Sequence, residues 1–264
     1  MAKKLDITIA DVNEYYSEVG SAILEIVTGS DQFGIGGLEG VTALAQKARF
    51  QKDHWVLDVG SGLGGPARYL SRTFGCRVTG LDVSIVNYDK AIQLTRECGL
   101  ENRIDFRHGS ALDMPFKAET FDGVWGMDAW AHVTDKDRLI QECTRVLKRG
   151  GTIAFADEIQ TAEMDEAERE RVFTIQAVPY LETREGYVAL LERAGFEVQL
   201  KEDVSQEYLQ YWGRWQGGIL QKQDEITSRF DQEAYDQTRE MFEIVVAAAR
   251  QGKIGEGRFV GRKR

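Results

Sequence analysis

The sequence predicts a doubly wound α/β fold built on a mostly parallel sheet, and three observations lead to this prediction. Short apolar segments alternate with helical segments from residue 55 onward, as in sheets assembled from right-handed strand–helix–strand crossovers. The first apolar segment runs into a glycine-rich turn and then a helix start at Pro66,. A short last strand is predicted near 255–261. The strands before it are predicted at 55–59, 77–81, 103–107, 121–126, 151–156 and 196–203.

The glycine-rich turn after the first strand is the strongest single motif. Gly60, Gly62 and Gly65 satisfy the spacing G-x-G-x-x-G. Glycines there allow the backbone to approach a ligand closely, and the following helix start offers unpaired N–H groups. Several nucleotide-binding families share this spacing, so the motif alone predicts only a nucleotide-like ligand.

Two acidic residues narrow the choice of ligand. Asp58 lies two residues before the first glycine, where a pyrophosphate would be repelled and a cation attracted,. Asp82 ends the next strand and can accept hydrogen bonds from both hydroxyls of a ribose. An acid at the Asp82 position suits either NAD or S-adenosylmethionine (SAM), whereas Asp58 favours SAM, which has a sulfonium and an ammonium but no phosphate. The remaining alternative is a dinucleotide oxidoreductase.

Composition restricts the partners and the compartment. A net charge of −10 and a pI near 5.0 disfavour nonspecific binding to nucleic acid or anionic membranes,. Three cysteines without metal-ligand spacing fit a reducing cytoplasm and predict no metal,. We therefore expect a cytoplasmic monomer or homodimer that acts on a small-molecule substrate.

Four segments are predicted along the chain. Residues 7–30 form a helical region broken at Gly20, followed by a loop at 33–40 and a helix from Val41,. This region precedes the nucleotide strand and is interpreted as a lid over the cofactor site; the alternative is a packing helix that only covers the sheet. The aromatic-rich segment 205–250 is interpreted as a helical insertion between strands six and seven. The predicted units are the lid (1–50), the cofactor-binding core (51–204), the helical substrate cap (205–250) and the last strand (251–264).

The loop after the third strand completes the predicted cofactor site. Ser110 lies where a backbone N–H and a side-chain acceptor can read the edge of an adenine. The predicted cofactor-binding residues are Asp58, Gly60, Gly62, Gly64, Asp82, Val83, Ser110, Ala111 and Met127.

The end of the fourth strand carries the predicted chemistry. If the backbone is helical from Asp128, then Asp128 and His132 share one face at positions i and i+4,. Both would stand beside the glycine turn. His132 is the preferred general base because imidazole titrates near neutral pH. The alternative is a structural histidine that caps the strand.

With these residues placed, the chain resembles the small-molecule SAM-dependent methyltransferases, which have a Rossmann-like seven-stranded sheet. It is most similar to the sarcosine/dimethylglycine and phosphoethanolamine N-methyltransferases. The resemblance implies that Tyr16 and His132 close over the site and assist deprotonation, with Asp128 beside them. The matching segments are 16–18, 36–39, 57–65, 109–110, 128–132 and 252–255.

One departure from the phosphoethanolamine branch affects the substrate. That branch holds phosphate with several tyrosines and an arginine after the fifth strand, where this chain has Glu158, Ala177 and Pro179. A phosphorylated substrate is therefore disfavoured. Arg184 and Arg214 are candidates for binding a substrate carboxylate. Tyr15, Tyr16 and Trp130 offer aromatic faces for a methylated ammonium.

The predicted function is SN2 methyl transfer from SAM to a small amine of the amino-acid-like kind represented by sarcosine and dimethylglycine. The alternatives are an O- or C-methyltransferase acting on a natural-product, sugar or quinone acceptor, and a phosphoethanolamine methyltransferase. Two alternatives of different classes remain, an NAD-dependent oxidoreductase and a protein that binds SAM without catalysis.

Overall fold

The computed structural model describes residues 4–29, 31 and 34–264. Seven strands form one sheet in the order β3-β2-β1-β4-β5-β7-β6. Strands β1 to β5 are parallel, and β7 is antiparallel to both β5 and β6. The strands are β1 (Trp55–Val59), β2 (Arg77–Asp82), β3 (Ile104–His108), β4 (Phe121–Met127), β5 (Leu147–Gln160), β6 (Phe196–Asp203) and β7 (Ile254–Lys263).

Helices cover both faces of the sheet, which confirms the predicted fold class. The first three helices precede β1, the next five connect the strands from β1 to β6, and the last three fill the connection from β6 to β7. They are α1 (Ile9–Tyr15), α2 (Glu18–Thr28), α3 (Gly37–Ala48), α4 (Gly65–Phe74), α5 (Ile85–Glu97), α6 (Lys136–Val146), α7 (Glu166–Ile175), α8 (Arg184–Arg193), α9 (Ser205–Gln221), α10 (Gln223–Arg229) and α11 (Gln232–Arg250).

The N-terminal region differs from the predicted single break at Gly20. The break lies at Tyr16 and Ser17, because the Ser17 hydroxyl accepts the Gly20 N–H and caps α2. Gly20 lies inside α2, where a Cβ would stand 2.3 Å from the Tyr15 carbonyl oxygen. The helix predicted from Val41 begins at Gly37. Of the predicted loop at 33–40, residue Phe33 lies outside the described residues.

The fifth strand is longer than predicted. The sequence predicts residues 151–156, whereas β5 runs from Leu147 to Gln160 because its second half pairs with β7. Asp157 and Glu158 therefore belong to a buried strand. Pairing with a distant segment of the chain caused the error, since the polar pair at 157–158 otherwise indicates a strand end.

The connection after β4 is not the predicted helix. Asp128 has a φ of 50°, in the left-handed region, and only a short 3₁₀ turn follows at Trp130–His132. Short polar residues such as Asp tolerate this conformation better than most. Asp128 and His132 therefore do not share a helix face.

The insertion between β6 and β7 packs its aromatic side chains into a hydrophobic cluster that it shares with other parts of the chain. Tyr208 and Trp212 of α9 pack with Tyr235 and Phe242 of α11, and Ile23 of α2 joins the same cluster. The insertion and the N-terminal helices thus share one hydrophobic core above the carboxyl ends of the strands. Within the part of the chain that the structure describes, no helix is both long and apolar enough to cross a membrane.

Candidate functional site

A cavity of about 170 Å³ lies at the carboxyl ends of β1, β2 and β4, where open α/β sheets bind ligands,. We call it the turn cavity, because Val59 to Leu63 form its floor. It brings together most of the predicted cofactor-binding residues. Those that line it are Gly60, Gly62, Asp82, Val83, Ser110, Ala111 and Met127.

Gly64 does not line the turn cavity, although the sequence placed it among the cofactor residues. It caps α4 with a φ of 78°, and a Cβ there would stand 2.7 Å from the ring of Phe106. Residue 64 is a glycine because the start of α4 lies close against Phe106, and not because a ligand approaches the backbone there.

Gly60 makes the turn possible. Its φ is 76°, and a Cβ would stand 2.3 Å from the Cβ of Ala129. The turn and the segment after β4 therefore approach each other at van der Waals distance. A side chain at residue 60 would push the two walls of the turn cavity apart.

We expect Gly60→Ala to lower the free energy of unfolding by about 2–4 kcal/mol, because overpacking adds to backbone strain. Chemical denaturation measures the change. Gly99→Ala is the matched control, since Gly99 also has a positive φ of 65° but nothing within 4 Å of an added Cβ. Its expected loss is about 1 kcal/mol. Equal losses at both positions would contradict the packing argument.

Asp82 is held in a fixed orientation at the wall of the turn cavity. Its Oδ2 accepts the Gly62 N–H at 2.7 Å, and its Oδ1 accepts the Ser84 N–H at 2.9 Å. Burial raises the pKa of Asp82, and these two backbone bonds oppose the rise. The carboxylate keeps lone pairs for further donors, such as two vicinal hydroxyls.

Asp58 lies behind the wall of the turn cavity. Its side chain is 1% exposed, and neither carboxylate oxygen has a hydrogen-bond partner among the described residues. Burial raises the pKa of Asp58 to about 8, and the charge of Asp82 adds to the rise. A cation nearby would stabilise the ionised form. The predicted contact between Asp58 and a bound ligand remains a prediction, since the side chain does not line the cavity.

The raised pKa of Asp58 predicts how stability changes with pH. The pKa of the Asp58 carboxyl group is about 8 in the folded protein and near 4 in the unfolded chain,. The folded protein therefore binds this proton more tightly than the unfolded chain does. Stability then falls as pH rises between these values. We expect the melting temperature of the ligand-free protein to fall from pH 6.5 to 8 and Asp58→Asn to flatten this slope, as measured by scanning calorimetry.

The control for this measurement is Asp122→Asn. At Asp122, burial is outweighed by bonds from Lys148 and Trp55, which lower the pKa, so the group does not titrate above pH 6.5. The slope of this variant should match that of the wild type. His132, whose pKa is lowered, acts in the opposite direction but only below its ordinary value of 6.5. An unchanged slope in Asp58→Asn would refute the assignment.

Tyr16 and His132 close the turn cavity from above. The Tyr16 hydroxyl lies 3.0 Å from His132 Nε2, and His132 Nδ1 lies 3.1 Å from the Ala177 carbonyl oxygen. A carbonyl oxygen can only accept, so Nδ1 carries the proton, and Nε2 accepts from Tyr16. The lone pairs of the Tyr16 oxygen remain available to a third group.

His132 is neutral in this arrangement. Burial lowers its pKa to about 4; the bond to Ala177 opposes this change, and Lys136 adds to it. The sequence predicts a base that titrates near neutral pH, whereas burial of the half-buried ring holds the pKa of His132 below its ordinary value in this arrangement. The role of His132 as a general base remains a prediction.

Asp128 connects the lid to the end of β4. Its Oδ2 accepts the Ile35 N–H at 2.7 Å, while its Oδ1 is buried without a partner in the described chain. Burial raises the pKa of Asp128, and the charge of Asp157 adds to the rise. The structure brings the predicted catalytic set, Tyr16, Asp128 and His132, together at the turn cavity.

A second cavity of about 50 Å³ lies beyond the Tyr16–His132 pair. We call it the inner cavity, and it adjoins the turn cavity because Tyr16, Asp128 and His132 line both. The other residues that line it are Tyr15, Leu24, Ile35, Ala131, Glu158, Gln176, Val178, Trp212 and Trp215. Aromatic rings from α1 and α9 thus face a carboxylate from β5.

Of the predicted aromatic substrate residues, Tyr15 and Tyr16 line the inner cavity and Trp130 does not. Trp130 is buried, stacks on Phe155 and donates its indole N–H to the Val59 carbonyl oxygen. It contributes to the wall of the turn cavity and supports the glycine turn.

The two predicted arginines lie elsewhere. Arg184 pairs with Glu185 on the surface, and Arg214 lies over the exposed side of Tyr211. Neither lines the inner cavity. The two arginines were predicted only from the affinity of guanidinium for carboxylate, with no motif to place them.

Sequence reasoning missed Gln176, Trp212 and Trp215 as site residues and recorded Glu158 only as a departure. Glu158 did carry a signal, since it is an acidic residue beside an apolar strand. The aromatic residues of α9 carried none, because aromatic residues at helical spacing fit an ordinary core equally well.

Known proteins resemble this chain over most of its length. A family model described as a methyltransferase domain matches residues 57–155. Methyltransferase GfsG of Streptomyces halstedii is 30% identical over 212 residues, which are 75% of this chain and 76% of that protein. The sarcosine/dimethylglycine N-methyltransferase of Halorhodospira halochloris is 28% identical over 211 residues, 80% of this chain and 76% of that protein.

A solved structure matches the fold. Phosphoethanolamine N-methyltransferase 2 of Haemonchus contortus, in complex with S-adenosyl-L-methionine, superposes with a TM-score of 0.88 at 22% identity. The match covers 97% of this chain and 60% of that one. The N-terminal helices and the insertion between β6 and β7 are therefore included in the shared fold.

Proposed function

This chain belongs to the class I SAM-dependent methyltransferases, and from that premise we propose that it methylates the nitrogen of a small amine. The proposal depends most on the inner cavity, whose small volume and aromatic walls lie directly beyond the site for the cofactor. The sarcosine/dimethylglycine N-methyltransferase among its relatives supports the same class of acceptor.

The turn cavity fits SAM by its chemistry. Asp82 is oriented to accept from ribose hydroxyls, and the turn around Gly60 and Gly62 brings the backbone close to a ligand. The unpartnered carboxylate of Asp58 behind the wall favours a ligand with positive charge,. When bound, SAM supplies a methyl group that its sulfonium has already activated.

The residues of the chain mainly position the acceptor and exclude water. Tyr16 donates to His132, and its free lone pairs can accept an N–H of the acceptor and fix the direction of the nitrogen. The bond from Ile35 to Asp128 holds the lid closed above this point. Orientation and proximity can lower a barrier by about 7–11 kcal/mol, whereas one general base contributes about 3–5 kcal/mol.

The walls of the inner cavity favour an amine over a phosphorylated acceptor. Among the described residues that line it there is no lysine or arginine. An amino-acid-like acceptor can instead place its carboxylate against the Trp212 indole N–H, which is buried and has no partner in the described chain. An acceptor of this kind fits the site better than phosphoethanolamine.

Turnover with a panel of acceptors tests the proposal. The panel contains sarcosine, dimethylglycine, simple alkylamines, phosphoethanolamine and aromatic or sugar hydroxyls, with mass spectrometry of both products. We expect stoichiometric S-adenosylhomocysteine and N-methylated product with small amines. Methylation of hydroxyl or carbon acceptors alone would overturn the amine assignment. Binding of NADH in preference to SAM would contradict the cofactor fit.

A further inference from the structure

We infer that Glu158 is the specificity-determining residue of the inner cavity and that its carboxylate binds the ammonium group of the acceptor. This inference rests on the proposed function and adds a named anchor to it. The acceptor is thereby an amine that arrives in its ammonium form, gives one proton to the Glu158 carboxylate and then attacks the methyl group through the freed nitrogen lone pair, and not a neutral alcohol or a carbon acid.

The geometry of Glu158 leaves one oxygen for a ligand. The residue is 6% exposed, and its Oε1 accepts the hydroxyl of Tyr208. No hydrogen bond reaches its Oε2 from the described residues, and the side chain lines the inner cavity. A buried carboxylate that is only half satisfied is costly unless a cation or donor completes its shell.

The rings around Glu158 suit a cation. Tyr15, Trp212 and Trp215 line the same cavity. The negative faces of aromatic rings attract ammonium groups, and the attraction grows when water is excluded. Aromatic walls and a carboxylate at one end together favour a compact organic cation over a neutral molecule of the same shape.

The charges behind the inner cavity have the same sign as Glu158. Burial raises the pKa of Glu158 to about 7; the bond from Tyr208 opposes this change, and the charge of Asp157 adds to it. The negative charge of Asp157 is itself compensated by Lys136, and Arg258 partly compensates the charges of Asp128 and Glu256.

The titratable groups that face Glu158 are Tyr15, Tyr16, Asp128, Asp157, Tyr208 and Glu256.

Asp128 is a weaker candidate for this contact. One of its oxygens accepts the Ile35 N–H, and the other is fully buried. It therefore maintains the closed lid, whereas Glu158 keeps an oxygen toward the inner cavity.

Binding of a permanent cation tests the inference without turnover. The protein saturated with S-adenosylhomocysteine is titrated by calorimetry with choline and with 3,3-dimethylbutan-1-ol, which has the same shape but no charge. We expect the wild type to prefer choline by about 10- to 100-fold, as for bonds to charged groups. Glu158→Gln keeps the acceptor for Tyr208 and should abolish the preference.

Glu256→Gln is the matched control. Glu256 is buried on β7 opposite Glu158, belongs to the same cluster of carboxylates and does not line the inner cavity. We expect this variant to keep the choline preference. If both variants lose it equally, the selection arises from the charge of the cluster and the inference is wrong.

Proton release provides a second signature. Near pH 6.5 the empty site holds Glu158 largely protonated, because burial raises its pKa to about 7. A bound cation stabilises the carboxylate, so choline binding should release up to about one proton. Titration in two buffers of different ionisation enthalpy measures the release, which Glu158→Gln should eliminate. Equal release from the wild type and Glu158→Gln would refute the assignment.

Turnover separates the inference from the proposed function. With an amine that the wild type methylates, Glu158→Gln should lower kcat/KM by about 10- to 100-fold with an unchanged dissociation constant for SAM. Wild-type turnover in Glu158→Gln would overturn the role of Glu158 and leave amine methylation intact. If the wild type methylates no amine, the proposed function fails, and the choline preference still decides whether Glu158 binds a cation.

Discussion

Replacing His132 with alanine is expected to lower kcat by about 10²- to 10³-fold and to change the dissociation constant for SAM by less than about threefold. The ring holds the Tyr16 hydroxyl through Nε2 and is itself held by the Ala177 carbonyl through Nδ1. Without it, Tyr16 loses its direction at the point where the acceptor nitrogen must be aligned. Misalignment of this kind costs rate far more than it costs cofactor affinity.

Steady-state kinetics and calorimetry with SAM measure the two quantities separately. Tyr16→Phe breaks the same hydrogen bond from the other side, so the double variant should lose little more than either single one. His54→Ala is the control, since the His54 ring lies away from both cavities and accepts the Gln51 N–H through Nδ1. Lost SAM affinity with normal turnover at saturating SAM would reverse the assignment.

Asp82→Ala should have the opposite effect and weaken SAM binding by about 100-fold. The carboxylate holds the N–H groups of Gly62 and Ser84 and faces the turn cavity as an acceptor. Hydrogen bonds that involve a charged group are worth about 1.5–3 kcal/mol each, and 1.4 kcal/mol is a factor of ten. Loss of the ribose acceptor and loosening of the glycine turn act in the same direction.

The matched control is Asp122→Ala. Asp122 also accepts a backbone N–H, from Trp55 at 2.9 Å, but it lies at the amino end of β1, away from the turn cavity. This variant should lose stability without losing SAM affinity, when affinity is measured at a temperature where the Asp82→Ala and Asp122→Ala variants are both folded. Equal loss of affinity in the two variants would show that the effect of Asp82 is only structural.

Two expectations failed for the same physical reason. The helix predicted from Asp128 and the strand end predicted at residue 156 were both judged from neighbouring residues alone. Asp128 instead adopts a left-handed backbone conformation, and its side chain accepts a hydrogen bond from the Ile35 N–H. Strand β5 continues past residue 156 because β7 pairs with it. Tertiary partners override local preference where a loop or strand end is closed by a distant segment.

The candidate site was predictable where the residues share one local motif. The turn through Gly60 and Gly62, and the acid at Asp82, depend on the sequence of a single strand–turn–helix unit and the strand after it. Those residues line the turn cavity as expected. The inner cavity was not predictable, because Tyr15, Glu158 and Trp212 lie about 50 to 200 positions from one another,.

The sequence by itself determined the doubly wound sheet, the position of the cofactor turn and the class of chemistry, because strand periodicity and glycine spacing are local properties. Only the tertiary structure decided which residues line the inner cavity. The N-terminal helices and the insertion pack over the ends of the strands, so that Glu158 is buried and His132 is half-buried. Burial then shifts the pKa of both groups, and this burial cannot be predicted from the residues next to them in the sequence,.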